Sequence, residues 1–152
     1  MKDVALYTDG SCIGNPGPGG YGVLLRYNNH EKEFSKGFKH TTNNRMELMA
    51  VIAGLVALKS PCNVNIYTDS QYVKQGIEKW VHSWQRNNWK TSNKKSVKNK
   101  DLWLELLSTI KKHKPTWHWV KGHSGHAENE RVDDLAREAA LSSDLIDDVG
   151  FE

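Results

Sequence analysis

The sequence predicts an α/β fold, a mixed sheet covered by helices, and three observations predict it. Three strand-like runs stand together near the N-terminus, and a helix, a strand, further helices, a strand and a last helix follow them. Two of the strand-like runs, separated by a long stretch of chain, end alike: Tyr7-Thr8-Asp9-Gly10 and Tyr67-Thr68-Asp69-Ser70. Between them, residues 46–58 are apolar nearly all round apart from Glu47, as befits a helix buried against a sheet.

Taken in order, residues 3–9 alternate as a strand does, and residues 11–22 (SCIGNPGPGGYG) predict a turn-rich loop. The segment Gly17–Gly22 formally matches GxGxxG, but prolines crowd it and a strand candidate, not a helix, follows. It is therefore expected to be a loop and not a dinucleotide cradle. Residues 23–27 and 33–38 predict two more strands joined by a turn at Asn28-Asn29. A helix is expected over 45–59 with Asn43 or Asn44 as its cap, then a strand over 64–68. From Ser70 a helix runs into a tryptophan-rich basic segment; 102–113 predict a helix, 116–121 a strand and 127–141 a helix. The acidic tail, 142–152, is expected to be frayed and flexible.

At 152 residues the chain is expected to be a single domain, 1–152, with a real core. Its longest apolar run, 48–58, falls short of the roughly 20 residues a membrane span needs. The start, Met1-Lys2-Asp3, lacks a signal-peptide pattern, and Cys12 and Cys62 form no CxxC pair. A cytoplasmic location follows as the expectation. The net charge of +3 conceals a basic block over about 74–100, with eight Lys/Arg against the single acid Glu78. After Ala127 the balance reverses, with nine acids against two arginines. A local basic block on a nearly neutral chain suits a polyanion at one place, although a solvated lysine face has the same composition.

If the two Thr-Asp strands are parallel neighbours about 4.8 Å apart, Asp9 and Asp69 leave the sheet side by side at its C-terminal edge. Open α/β sheets commonly bind ligands there. Two carboxylates about 5 Å apart repel by roughly 3 kcal/mol at an effective dielectric near 20, and a shared cation removes that cost. The competing reading of each aspartate is ordinary turn chemistry before Gly or Ser. Glu47 is the only charge between Met46 and Leu58, so it needs a partner or a metal, unless it serves as the capping-box acid of a helix capped by Asn44. In the last helix the apolar stripe passes through Val132, Leu135, Ala136 and Ala139. Asp133 flanks that stripe, whereas Asp134 shares the wet side with Glu130, Arg131 and Arg137, so periodicity selects Asp133 as the inward acid. His123, between two glycines on a strand-to-helix loop, can shuttle protons or simply be a solvated loop residue.

Four acids converging without a P-loop point to metal-assisted phosphoryl chemistry, with two Mg²⁺ ions about 4 Å apart. In the basic block Trp80, Trp84 and Trp89 interleave with Arg86 and Lys90, as on a nucleic-acid surface; Trp80 and Trp84, one helical turn apart, also suit core packing.

The motifs at residues 8–12 (TDGSC), 14–17 (GNPG), 42–48 (TNNRMEL), 68–73 (TDSQYV) and 122–133, taken together, closely resemble bacterial type 1 ribonuclease H, in order from about residue 3 to 141. The resemblance implies a five-stranded mixed sheet of order 3-2-1-4-5. It also implies Mg²⁺-dependent cleavage (Mn²⁺ substituting) of the RNA strand of RNA–DNA hybrids, giving 5′-phosphate and 3′-hydroxyl ends. Carried over by motif, Asp9, Glu47, Asp69 and Asp133 hold two metals with substrate bound, and His123 assists proton transfer or product release. Cys12, Asn15, Asn43 and Gln71 would approach the RNA strand, with Asn44 between the strands. Thr42 and Asn99 would grip a DNA phosphate, together with His40, which stands where relatives commonly have Arg. Trp80 and Trp103 would wall the DNA channel, and Trp84 and Arg86 belong to the basic, Trp-rich handle over about 74–100. His40 implies a weaker, pH-dependent grip on DNA, and Gln85-Arg86-Asn87-Asn88 is less basic than the family pattern. A monomer with no obligate protein partner is expected. The alternatives are a DNA-acting, transposase-like nuclease on the same fold and a non-catalytic hybrid-binding module.

Overall fold

The computed structural model describes residues 1–121 and 126–151. The chain runs β1 (Lys2–Cys12), β2 (Gly17–Tyr27), β3 (His30–Thr41), α1 (Asn43–Val56), β4 (Cys62–Thr68) and α2 (Gln71–Gln75). A π-helical turn (Gly76–Trp80), α3 (Val81–Arg86), α4 (Lys100–Ile110), β5 (Lys114–Trp119), α5 (Ala127–Leu141) and the two-residue β6 (Leu145–Ile146) complete it. The sheet order is β5-β4-β1-β2-β3-β6, which is the expected order with one short strand added outside β3. β1 is antiparallel to β2 and parallel to β4, and Leu6 pairs with Ile66 and Tyr7 with Tyr67. That register sets Asp9 and Asp69 side by side just beyond the last β1–β4 pair, Asp69 after the end of β4 and Asp9 still within β1, paired with Gly22.

One face of the sheet packs on α1. Val4, Leu6, Val23, Val64 and Ile66 meet Met46, Val51 and Leu55 in a continuous buried core. Each fully buried aliphatic side chain there contributes about 2 kcal/mol. Gly54 lets α1 settle against Leu6. The opposite face holds α5, whose Val132, Ala136, Ala139 and Ala140 are buried. Among the described residues, no helix is long and apolar enough to cross a membrane.

Three expectations need correction. Residues 11–22 are mostly strand: β1 reaches Cys12, β2 starts at Gly17, and only 13–16 turn. Glycines occupy β2 because α5 lies directly on it. A Cβ at Gly20 would come within 2.6 Å of the Ala136 carbonyl oxygen and 2.7 Å of the Ala139 Cβ. The helix expected from Ser70 is interrupted by the π-helical turn, which begins at Gly76, where the Trp103 indole lies against the backbone. The tail does not fray. Leu145 and Ile146 pair with Gly37 and Phe38, and Asp148 closes on the buried Arg45, whose side chain is 2% exposed. A cation enclosed to that degree requires carboxylates, and the tail supplies one.

Substituting Gly20→Val should lower stability by about 3 kcal/mol, a fall in Tm of about 10 °C. Thermal denaturation reads this directly, and an unchanged Tm would mean α5 does not bear on β2 at that point.

Candidate active site

The acidic cluster forms where β1, β4 and α1 converge. Parallel pairing of β1 and β4 delivers Asp9 and Asp69. Glu47 arrives because α1 crosses β1 at Gly10, where an added Cβ would stand 2.6 Å from the Glu47 nitrogen. One carboxylate oxygen from each of Asp9, Glu47 and Asp69 lies within 4.8 Å of the others.

The capping-box account of Glu47 fails on geometry. Thr42, rather than Asn43 or Asn44, caps α1, and its Oγ1 accepts from the Arg45 N–H at 3.3 Å. That puts Arg45 at the capping-box position and Glu47 two residues deeper, buried, with Oε2 lacking a hydrogen-bond partner among the described residues. A buried carboxylate oxygen without a donor, facing two further carboxylates, is what hard cations coordinated by oxygen require. The donor set therefore fits divalent metal.

Electrostatics agree. Burial first, then the charge of Asp69 and a hydrogen bond to Asp133, push the Asp9 carboxyl up to about 8. Glu47 is raised well above its ordinary value by burial and by the charges of Asp9 and Asp69. Asp133 stands at the rim beside Asp9, half-buried on α5, with Arg137 Nε 3.3 Å from its Oδ2. Asp134 points to solvent and pairs with Arg137, as the helical periodicity required. His123 lies outside the described residues.

Around the cluster, Cys12 and Asn15 end β1 and enter the turn beside the start of α1. The Asn15 Oδ1 accepts from the Asn43 N–H at 2.9 Å, and the half-buried Cys12 Sγ lies 3.4 Å from the Thr41 carbonyl oxygen. Asn44 is exposed in the first turn of α1, and Gln71 is exposed at the start of α2, directly after Asp69 and Ser70. Thr42, Asn44 and Asn99 line one cavity of about 610 Å³ with Lys98, Lys100 and Phe151. His40 is not in its lining; it stands against Phe151, ring centroids 5.3 Å apart.

The aromatic residues form a chain of ring contacts, Trp89–Trp84–Trp80–Tyr72–Trp103, with centroids 5.4 to 5.9 Å apart. Trp80 is 37% exposed, Trp84 is half-buried and Arg86 is exposed. Trp103 departs from expectation: it is fully enclosed, its Nε1–H donates to the Tyr72 Oη at 2.9 Å, and its ring packs against Tyr72 and Trp84. Sequence reasoning also missed Tyr72, which receives a second hydrogen bond from the Asn99 Nδ2, and the ion pairs of Arg45 with Asp101 and Asp148. For Arg45 a signal existed, a charge entering a helix that is otherwise apolar.

A six-stranded mixed sheet with carboxylates clustered at the end of its β1–β4 parallel pair is the architecture of the ribonuclease H-like class, whose members are metal-dependent nucleases. The RNase H family model matches residues 1–141, and the chain belongs to that family of hydrolases. Ribonuclease H of Pseudoalteromonas translucida (strain TAC 125) is 62% identical over 151 residues, covering 99% of this chain and 98% of that protein. Ribonuclease H of Idiomarina loihiensis is 59% identical over 150 residues, covering 99% and 96%. Among solved structures, LC9-RNase H1, a type 1 RNase H with the type 2 active-site motif, is 36% identical with a TM-score of 0.83, covering 93% of this chain and 73% of that one.

The raised Asp9 carboxyl gives a stability prediction with a definite sign. The folded protein keeps a proton that the unfolded chain releases above 3.8, so the contribution is complete below that pH and is lost as pH rises towards about 8. In chelator, Tm should therefore fall between those limits, and Asp9→Asn should flatten the fall. An identical slope in the variant would mean that Asp9 titrates as a solvated carboxyl.

Proposed function

We propose that the protein hydrolyses the RNA strand of RNA–DNA hybrids, with Mg²⁺ (Mn²⁺ substituting) held by Asp9, Glu47, Asp69 and, once substrate is bound, Asp133. The observation that carries this reading is the buried Glu47 Oε2, without a partner among the described residues, within a cluster of three carboxylates. When bound, divalent ions supply positive charge to the phosphoryl oxygens and acidify the attacking water. The protein's own residues do the rest. Asp9 and Asp69, fixed by the β1–β4 pairing, and Glu47, fixed by the seat of α1 at Gly10, hold their oxygens in place before substrate arrives. His123 serves proton transfer or product release, a role that rests on the motif alone. The products are 5′-phosphate and 3′-hydroxyl ends.

Substrate is held on both strands. Cys12, Asn15, Asn43 and Gln71 surround the carboxylates and approach the RNA strand across the minor groove, where 2′-hydroxyls mark it as RNA. Asn44 lies between the strands. Thr42, Asn99 and His40 take a DNA phosphate, and Trp80, with Trp84 behind it, faces the DNA strand. Arg86 and the exposed lysines of the 90–98 loop supply the electrostatic attraction; Lys94 and Lys95 sit at its tip, above a bridge between Lys90 and Ser96. The protein works as a monomer in the cytoplasm.

End-labelled hybrid, single-stranded RNA, duplex RNA and duplex DNA, each incubated with Mg²⁺ and with chelator, test the proposal. Cleavage of the hybrid's RNA strand alone, abolished by chelator, is expected. Cut duplex DNA would indicate a transposase-like enzyme, and binding without cleavage an inert module. Asp69→Asn should lower kcat by more than the about 10–100-fold that loss of an outer-shell partner costs. Near wild-type activity would remove Asp69 from the metal site. Neutralising Lys94 and Lys95 should raise KM more than it lowers kcat and reduce the salt slope of binding by about 1 per lysine. An unchanged slope would leave that loop a solvated face.

A further inference from the structure

We propose that Phe151 is a positioning residue of the DNA-phosphate pocket, and that the C-terminal strap carrying it is a fixed wall of that pocket. The inference rests on the reading of Thr42, Asn99 and His40 as the grip on a DNA phosphate. His40 by itself is an exposed side chain at the end of β3, free to sample several rotamers, and it does not line the cavity. The Phe151 ring does two things at once. It lines the cavity together with Thr42 and Asn99, and it meets the His40 imidazole at a tilt of 45°. A ring so placed holds the imidazole next to a residue of the cavity wall and lowers the entropy lost when a phosphate is gripped.

The alternative of a mobile cover is excluded by how the strap is held. Asp148, with its side chain 1% exposed, accepts from the Arg45 Nε at 2.7 Å and Nη2 at 3.0 Å, and from the Thr41 Oγ1 at 2.7 Å. Lifting the strap would leave a buried guanidinium short of one carboxylate. Two residues on, Gly150 passes directly over the Arg45–Asp101 pair, where a Cβ would fall on the Asp101 Oδ2. The same guanidinium donates from Nη1 to the Asn99 Oδ1 at 3.2 Å, while the Asn99 Nδ2 donates to the Tyr72 Oη at 3.1 Å. Arg45 therefore orients one pocket residue directly and, through Asp148 and Phe151, orients another.

The test compares steady-state cleavage of a hybrid by the full chain and by Phe151→Ala, Phe151→Tyr, His40→Ala and the double variant, with Tm recorded for each. Phe151→Ala should raise KM about fivefold with kcat unchanged, Phe151→Tyr should restore KM, and the double variant should match His40→Ala. If His40→Ala raises KM and Phe151→Ala does not, the positioning role is wrong and the pocket reading stands. If His40→Ala leaves KM unchanged, the pocket reading fails at that position and this inference falls with it. A lower KM in Phe151→Ala would make the ring an obstruction and overturn the proposal.

Discussion

Three carboxylates forced within 4.8 Å of one another, two of them buried, are the constraint around which the rest of the molecule is arranged. No such arrangement is favourable by itself: Asp9 and Glu47 both hold protons far above the ordinary carboxylate range. Groups that repel must be held by something stiffer than their own surroundings. Here it is the parallel β1–β4 ladder on one side and the buried α1 on the other. The strain is a reservoir that bound cations release, so the same geometry that costs stability without metal favours binding with it.

Helix α1 carries this logic in two opposite versions. Arg45 and Glu47 enter the core two residues apart, yet their charges are treated differently. The guanidinium is answered from within the chain, by Asp101 from α4 and Asp148 from the strap, with Asn99 taking a further hydrogen bond. The carboxylate has an oxygen to which no described residue donates. A protein that satisfies one buried charge fully and leaves its near neighbour open is not short of partners. The open position is the one at which chemistry from outside is required.

Legibility in the sequence depends on the range of the interaction. The Thr-Asp echo, the isolation of Glu47 between Met46 and Leu58 and the inward phase of Asp133 are patterns of residue order, and of the acids they single out the structure brings Asp9, Glu47 and Asp69 together. Helix α5 is legible to its terminal residues because its apolar stripe is regular. The glycine run of β2 misleads because turn composition and helix-on-strand packing both call for residues without side chains, and only α5, more than a hundred positions later, distinguishes them. The Arg45–Asp148 pair spans 103 positions and leaves no periodic trace, so an acidic tail reads as solvated polyelectrolyte. Trp103 is expected beside Trp80 as a channel wall because the resemblance pairs them, whereas the fold divides the two into an exposed edge at Trp80 and a buried foundation at Trp103.

That division sets how an exposed aromatic edge is supported on a small domain. Trp80 presents an edge to solvent, but its orientation is set by Tyr72 and Trp84, and theirs by the enclosed Trp103. Trp103 in turn needs the bare backbone of Gly76 in the π-helical turn. Tyr72 connects this stack to the cavity lined by Thr42 and Asn99, since its hydroxyl receives hydrogen bonds from both Trp103 and Asn99. The exposed Trp80 and that cavity thus share one anchor, whereas Asp9 and Glu47 rest on β1 and α1. Under the proposed function, a change at Tyr72 would therefore act on the grip of the DNA strand and be read in KM before kcat.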